Sequence, residues 1–152
     1  MNNLEHALSY ASRGWQVFPV HGVKDGHCTC VNSECKSPGK HPIFGGGFKM
    51  ATTDEGIIHN WFKGHPDANV AIATGEASKL VVIDVDYGDG KVGFETLEKL
   101  ETALGPLPRA LTVRTGSGGL HLYFKMPGYP VGCSVGKIGP DIDVRANGGY
   151  VI

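Results

Sequence analysis

Two aspartates stand at the end of an apolar segment in the middle of the chain. The segment Val81–Val85 is apolar apart from Asp84, and Asp86 follows it directly. Because alternate side chains of a strand share one face, we expect Asp84 and Asp86 to lie on the same face, about 7 Å apart. Carboxylates at that spacing can share a hard cation such as Mg²⁺ or Mn²⁺. The same pattern also fits a strand that ends in solvent, with Asp86 as a turn residue.

A glycine-rich segment forms the second candidate site. Its small residues allow successive backbone amides to turn toward one point and form an anion nest; they are Gly116, Ser117, Gly118 and Gly119. In the strand predicted to follow, His121 and Tyr123 share one face, and the apolar Leu120 and Leu122 lie on the other. This pattern predicts phosphate binding at the turn, with a flexible hairpin beside a buried histidine as the alternative.

A third polar pattern occurs close to the end of the sequence. Alternation from Asp141 to Arg145 places Asp141, Asp143 and Arg145 on one face of a strand, with two apolar side chains on the other. Asp143 could bind a metal ion and Arg145 a phosphate, or the two could form a surface ion pair that contributes little. Together the three patterns supply the carboxylates, basic groups and close backbone approach that two-metal phosphoryl transfer requires. The sequence contains no P-loop signature.

The fourth feature is a cluster of cysteines at Cys28, Cys30 and Cys35. Three thiolates and one imidazole complete a tetrahedral zinc site, which would be structural because no position remains for substrate. We favour His41 as the fourth ligand, with His21 and His27 as alternatives. Cys28 and Cys30 are poorly placed to bridge each other, which argues against a disulfide. The distant Cys133 is expected to be free and buried.

Three helices are predicted from apolar residues at helical spacing. The first ends at Gly14, the second has Thr53 or Asp54 as its N-cap and ends at Gly64, and the third ends at Gly105. Their expected buried stripes are, in order, Leu4, Ala7, Leu8 and Ala11; Ile57, Ile58, Trp61 and Phe62; and Phe94, Leu97, Leu100 and Leu104.

Strands are predicted at seven segments, which are WQVFPV, NVAIAT, KLVVIDVD, ALTVRT, LHLYF, DIDVR and GYVI. The third segment is largely apolar and β-branched, so we expect it to be central in a sheet. Residues 21–50 lack periodicity and are expected to form a long loop that needs its own fastening. The mixture of elements predicts an α+β or α/β fold with a mainly antiparallel second half.

Composition restricts the protein class. The chain has 152 residues, of which 41% are hydrophobic, and a formal net charge of -1. These values fit one globular domain and exclude a generally basic nucleic-acid coat. The sequence shows no secretory signal and no apolar run long enough for a membrane span, so we expect a cytoplasmic location. It ends at Ile152 within a predicted strand, which suggests a fragment of a longer protein.

With these residues in view, the chain resembles the N-terminal domain of bifunctional primase-polymerases, in the archaeo-eukaryotic primase superfamily. The resemblance covers nearly the whole chain and rests on the order and spacing of several motifs. They are ALSYA followed by GWQVFP, the cysteine loop with GKHP, NVA with ATG, DVD at Asp84–Asp86, GGLHLYF, and DVR at Asp143–Arg145. It implies an RRM-like, mainly antiparallel catalytic sheet with a small N-terminal α/β module, and a zinc loop at about residues 21–50 within a single domain spanning 1–152.

The resemblance also implies an activity and site residues. By it, Asp84, Asp86 and Asp143 would hold two catalytic Mg²⁺ or Mn²⁺ ions, and His121 would contact the triphosphate of the incoming nucleotide. Lys40, Ser117 and Arg145 fall near nucleotide-contacting positions. The implied activity is DNA primase and polymerase, copying single-stranded DNA with NTPs or dNTPs in phage, plasmid or prophage replication.

Such domains are often followed by a helicase, so the isolated chain could lack activity. Two other functions remain open from the sequence. One is a non-catalytic nucleic-acid-binding module built on the zinc loop, and the other is a metal-dependent nuclease that uses the same carboxylates.

Overall fold

A computed structural model describes residues 1–30 and 32–152, so Val31, within the predicted zinc loop, lies outside the described residues. The described chain divides into two compact units, the first comprising Met1–Ala73 with Tyr150–Ile152 and the second Thr74–Gly149. The fold is α+β with three α-helices in the described part, and the predicted antiparallel pairing of the second half is confirmed. The named strands of the first half also pair antiparallel. None of the helices described is long and apolar enough to cross a membrane.

The first unit contains two helices and a small sheet. Its elements are α1 (Asn3–Ala11), β1 (Val17–Val20), β2 (Val23–Lys24), β3 (His27–Cys28), a 3₁₀ helix (Gly47–Met50), α2 (Glu55–Gly64), β4 (Asn69–Ala73) and β10 (Tyr150–Val151). The three-stranded sheet has the order β1-β4-β10, and β2 and β3 form a separate two-stranded hairpin. Its core includes the fully buried Val17, Val20 and Ala71, which lie on β1 and β4.

Side-chain caps set where the two helices begin. Asn2 caps α1 in a capping box with Glu5, and Asp54 caps α2 by accepting a hydrogen bond from the amide of Ile57 at 3.0 Å. The prediction that Ile57 is buried was wrong, because its side chain is 43% exposed. The buried face of α2 follows the i, i+4 pair Ile58 and Phe62, and Ile57 lies outside that narrower stripe.

The second unit is a five-stranded sheet with one helix. Its elements are β5 (Leu80–Val85), α3 (Gly93–Leu104), β6 (Leu111–Arg114), β7 (Leu120–Lys125), β8 (Ser134–Val135) and β9 (Ile142–Arg145). The strand order is β6-β7-β5-β9-β8, which places β5 at the centre, as its apolar sequence predicted. The order β6-β7-β5-β9, with a helix between β5 and β6, is that of an RRM-like split β-α-β arrangement.

Helix α3 lies against one face of this sheet and leaves the other face for polar side chains. Leu97 and Leu100 of α3 line a cavity of about 380 Å³ together with Ile83 and Ile142 of the sheet. The prediction that Phe94 and Leu104 are buried was wrong, because Phe94 is 37% exposed and Leu104, at the last turn of the helix, is 82% exposed. Thr96, in the first turn of α3, is buried, and a Cβ on Gly139 would approach its methyl group to 2.4 Å.

Candidate active site and metal centre

Asp84 lies at the middle of the polar face of the five-stranded sheet. Antiparallel pairing places it directly opposite His121 of β7 on one side and Asp143 of β9 on the other. The nearest approach to His121 is 3.4 Å, from Nε2 to the Asp84 Oδ1. The predicted site residues Asp84, His121 and Asp143 therefore lie on three neighbouring strands. The backbone pairing of these strands sets the three residues side by side.

Arg145 supplies positive charge to this acidic pair. Its Nη2 lies 2.7 Å from Oδ2 of Asp143, and its Nε lies 3.7 Å from Oδ2 of Asp84. The other oxygen of Asp143 accepts a hydrogen bond from the amide of Gly136 at 3.0 Å. Like charges directly opposite each other destabilise a sheet unless a cation lies near them. Carboxylate oxygens are the ligands that Mg²⁺ and Mn²⁺ prefer, so the opposing pair Asp84 and Asp143 has the donor chemistry for a hard divalent cation, with Arg145 already beside it.

His121 is buried beside these carboxylates. Only 8% of the residue is exposed, and its ring lies 6.2 Å from the ring of Tyr123, centroid to centroid. Within the described residues its Nδ1 is buried without a hydrogen-bond partner. An unsatisfied buried nitrogen costs about 1–3 kcal/mol, so this arrangement is not the one that stability alone would favour.

Asp86 lies one residue beyond the end of β5, in a different environment from Asp84. Its amide donates to the carbonyl of Asp141 at 3.0 Å, and its Oδ2 lies 3.1 Å from Nζ of Lys91. Lys91 also lies 2.8 Å from Oδ1 of Asp141, whose Oδ2 accepts from the amide of Val92 at 3.0 Å. An ion-pair network at the start of α3 therefore holds Asp86.

Electrostatics follow from this network. The hydrogen bond to Asp141 and the one to Asp86 raise the pKa of Lys91, while Lys91 and then the amide of Val92 lower the pKa of Asp141. The sequence prediction missed Lys91 and gave Asp141 no role. Asp141 lies just before β9 with φ +59°, a conformation that aspartate tolerates, so the strand alternation predicted for Asp141 does not extend to it.

The glycine-rich segment forms a closed turn against the end of β5. The amide of Gly118 donates to the carbonyl of Thr115, and the amide of Thr115 donates to the carbonyl of Gly119, each at 2.9 Å. The hydroxyls of Thr115 and Ser117 lie 3.1 Å apart. A Cβ on Gly119 would lie 2.4 Å from the carbonyl oxygen of Val85, so only glycine fits that position.

Lys40 belongs to the first unit. It follows the cysteine loop, it is exposed, and its carbonyl accepts a hydrogen bond from the hydroxyl of Tyr150 at 3.0 Å. Lys40, which was predicted to lie near the nucleotide, is therefore on the same unit as the cysteine cluster.

The cysteine cluster has the geometry of a tetrahedral metal site. One ligand atom from each of Cys28, Cys30, Cys35 and His41 lies within 4.8 Å of all the others. Nε2 of His41 is 3.4 Å from Sγ of Cys28 and 3.5 Å from Sγ of Cys35. Zinc bond lengths at a tetrahedral angle place sulfur and nitrogen ligands about 3.6 Å apart, so the cluster could hold zinc.

The thiols of the cluster differ in acidity. Burial raises the pKa of Cys28, but hydrogen bonds from the backbone of Cys30 and Gly39 and from the side chains of Cys30 and His41 lower it to about 6 overall. A backbone hydrogen bond lowers the pKa of Cys35, but burial and the neighbouring Cys28 and Cys30 raise it overall. The thiolate that a metal requires therefore forms more readily at Cys28 than at Cys35.

The two alternative histidine ligands have other partners. Nδ1 of His21 lies 3.0 Å from the hydroxyl of Thr29, and burial, followed by the nearby His41 and His65, lowers the pKa of His21. His27 is exposed and contacts the carbonyl of Asp25. The cluster therefore contains His41, the favoured fourth ligand, and neither alternative.

The four cysteines are free of disulfides. Cys133 was predicted to be buried, and this was wrong because the residue is exposed. Its sulfur is held at the surface by the amide of Ala146, which lies 3.2 Å away.

Fold and site together define an α+β protein with an RRM-like sheet that presents acidic and basic side chains on one face, and with a separate Cys₃His cluster. The family model for the N-terminal domain of bifunctional DNA primase/polymerase matches residues 7–152. The chain therefore belongs to this primase/polymerase family, and family membership supports a DNA primase/polymerase-type function. A comparison with curated proteins found no match.

Proposed function

We propose that this chain is a template-directed nucleotidyltransferase that makes or extends primers on single-stranded DNA, using NTPs or dNTPs. The observation that carries the proposal is the register that sets Asp84 opposite both His121 and Asp143, with Arg145 beside them. Family membership supports the same activity. The proposed setting is phage, plasmid or prophage DNA replication in a bacterial cytoplasm, with a helicase as a candidate partner.

In this proposal each polar residue has a distinct task. Asp84, Asp86 and Asp143 would hold the divalent cations. When bound, Mg²⁺ or Mn²⁺ would lower the charge barrier to attack by the primer 3′-hydroxyl and to departure of pyrophosphate. His121 and Arg145 are polar donors on the same face, and each lies within 4 Å of Asp84. They would orient the triphosphate once the metal ions neutralise the carboxylates.

The glycine turn would bind part of the triphosphate through backbone amides. The amide of Gly118 is committed to the turn itself, so the proposed donors are the amides of Gly116, Ser117 and Gly119. The Ser117 hydroxyl lies at the same turn. A turn built from glycines lets phosphate oxygens approach the backbone closely.

Zinc would have a structural role in the Cys₃His cluster. The loop around the cluster contains two-residue strands and turns with few buried side chains. Four bonds to one ion would supply the stability that such a loop cannot obtain from a hydrophobic core.

The experiment is nucleotide incorporation on a primed and an unprimed single-stranded template, with Mg²⁺ or Mn²⁺. We expect Asp84→Ala to abolish incorporation and to weaken Mn²⁺ binding, measured by electron paramagnetic resonance. Asp89→Ala, an exposed carboxylate in the loop after β5, is the matched control and should retain both. Full incorporation by Asp84→Ala, or neither Mn²⁺ nor nucleotide binding by the wild type, would overturn the proposal.

Two other outcomes identify the alternative functions. Strand cleavage that needs metal but no nucleotide would indicate a nuclease. DNA affinity that disappears on zinc removal, without nucleotide or Mn²⁺ binding, would indicate a non-catalytic binding module.

A further inference from the structure

Tyr87 is an exposed aromatic residue between the acidic site and the glycine turn. It follows Asp86 directly, and 57% of it is exposed. The ring of Phe94 packs against it edge to face, with centroids 5.6 Å apart and planes at 82°. On another side the ring contacts the glycine turn, where a Cβ on Gly118 would lie 2.9 Å from Cδ1 of Tyr87.

The position of Gly118 shows how closely the ring and the turn are fitted. Gly118 has φ +92°, a conformation that favours glycine, and the space beside it is filled by the tyrosine ring. A ring supported on two sides keeps few conformations. It therefore offers a flat apolar surface with little further loss of entropy on binding.

More than half of the surface of Tyr87 is exposed, and its neighbours are the groups proposed for phosphate and metal binding. Asp86 precedes it, and the turn that touches it is the segment with the sequence of an anion nest. An aromatic ring in such a position suits the flat, apolar part of a nucleotide, because any of the four bases can stack on an aromatic ring.

We propose that Tyr87 stacks on the nucleobase of the nucleotide whose triphosphate binds at the glycine turn. The inference rests on the proposed nucleotidyltransferase function and adds a base-binding residue to the same site. It makes Tyr87 a substrate-binding residue that contributes affinity common to all four bases, and more for purines, which have the larger stacking surface.

The test compares two ligands that share the phosphates and differ in the base. We would measure the affinity of the chain for dATP and for inorganic tripolyphosphate by calorimetry, in the presence of Ca²⁺. For Tyr87→Leu, which keeps an apolar side chain against Gly118, we expect about tenfold weaker binding of dATP and unchanged binding of tripolyphosphate. Tyr87→Phe should bind both ligands as the wild type does.

Tyr129→Leu is the matched control. Tyr129 is 67% exposed, and it follows β7 at the end that pairs with Leu80, the opposite end of β5 from Asp86. This control should leave both affinities unchanged. Circular dichroism would show whether each variant is folded; if Tyr87→Leu is not, Tyr87→Trp takes its place and should bind dATP at least as tightly as Tyr87→Phe.

Each result separates this inference from the proposed function. Equal loss of both ligands in Tyr87→Leu would mean that the ring only supports the turn, and unchanged dATP binding would mean that it touches no base. Either result, or weaker dATP binding by Tyr87→Trp than by Tyr87→Phe, overturns the assignment while nucleotide binding stands. If the wild type binds neither ligand, the proposed function fails and the inference fails with it.

Discussion

Removing Asp143, one of the two opposing aspartates, should impair both function and stability. Asp143 accepts hydrogen bonds from Arg145 at 2.7 Å and from the Gly136 amide at 3.0 Å. A hydrogen bond to a charged group contributes about 1.5–3 kcal/mol, and the one-third exposure of Arg145 reduces its share. We therefore expect Asp143→Ala to lower the free energy of unfolding by about 2 kcal/mol.

Asp89→Ala is the comparison and should be nearly neutral for stability. Asp89 is an exposed residue in the loop after β5. Substitutions at exposed positions away from buried contacts usually change the free energy of unfolding by less than about 0.5 kcal/mol.

The assay is thermal unfolding of the metal-free protein at low salt, followed by circular dichroism. In a chain of this length 1 kcal/mol corresponds to about 2–4 °C, so Asp143→Ala should lower Tm by about 4–8 °C and Asp89→Ala by much less. Asp143→Ala should also lose Mn²⁺ binding and nucleotide incorporation, and Asp89→Ala should keep both. If Asp143→Ala unfolds at the same temperature as Asp89→Ala, the hydrogen bonds that Asp143 accepts from Arg145 and Gly136 do not stabilise the sheet, and the prediction is refuted.

Three further predictions concern the metal centre, the acid limit of stability and the core. Cys35→Ser should lose bound zinc and lower Tm. Cys133→Ser, which alters a thiol outside the cluster, should retain the zinc content and the Tm of the wild type. Equal zinc content of the two variants by mass spectrometry would contradict a Cys₃His site. The lowered pKa of Asp141 stabilises the fold above its ordinary value of 3.8 and ceases to do so as pH falls through the folded value. The difference in unfolding free energy between wild type and Asp141→Asn should therefore become smaller when urea unfolding is measured at lower pH. A difference that stays constant with pH would show that the ion pair of Asp141 with Lys91 is not its source. Ile58→Ala should lower the free energy of unfolding in urea by about 2–5 kcal/mol because the side chain is fully buried, and Leu104→Ala should lower it by less than about 0.5 kcal/mol. Similar losses in the two variants would show that burial does not determine the loss of stability.

The sheet of the second unit could be predicted because its central strand carries an unambiguous pattern. An apolar, β-branched run suits a strand covered by pairing on both sides, and β5 lies between β7 and β9. Alternation then fixes which side chains share a face. His121 and Asp143 could be assigned to the face of Asp84 before any register was known, since a slip of one residue would expose Ile142 and Val144.

Features that depend on the end of an element could not be predicted in the same way. Asp86 continues the alternation of β5 in sequence, but the strand ends at Val85 and the Asp86 carboxylate pairs with Lys91. Lys91 stands in a glycine-rich loop with no periodicity that would relate it to Asp86 or Asp141. Leu104 fits the helical stripe of α3, yet it lies at the last turn, where 82% of the residue is exposed.

The candidate metal ligands are of two kinds, because Asp84 and Asp143 lie within paired strands and Asp86 lies beyond the end of β5. Asp84 and Asp143 are held by backbone ladders on neighbouring strands, so their carboxylates are oriented before any ligand binds. Asp86 is held by an ion pair with Lys91 in which both side chains are more than two-fifths exposed. Exposed ion pairs contribute little to stability, so on the proposed function a divalent cation could replace Lys91 at Asp86 at small cost. The strand pair would then provide the fixed part of the proposed metal site, and the segment leading into α3 would provide the part that adjusts when substrate and metal ions bind.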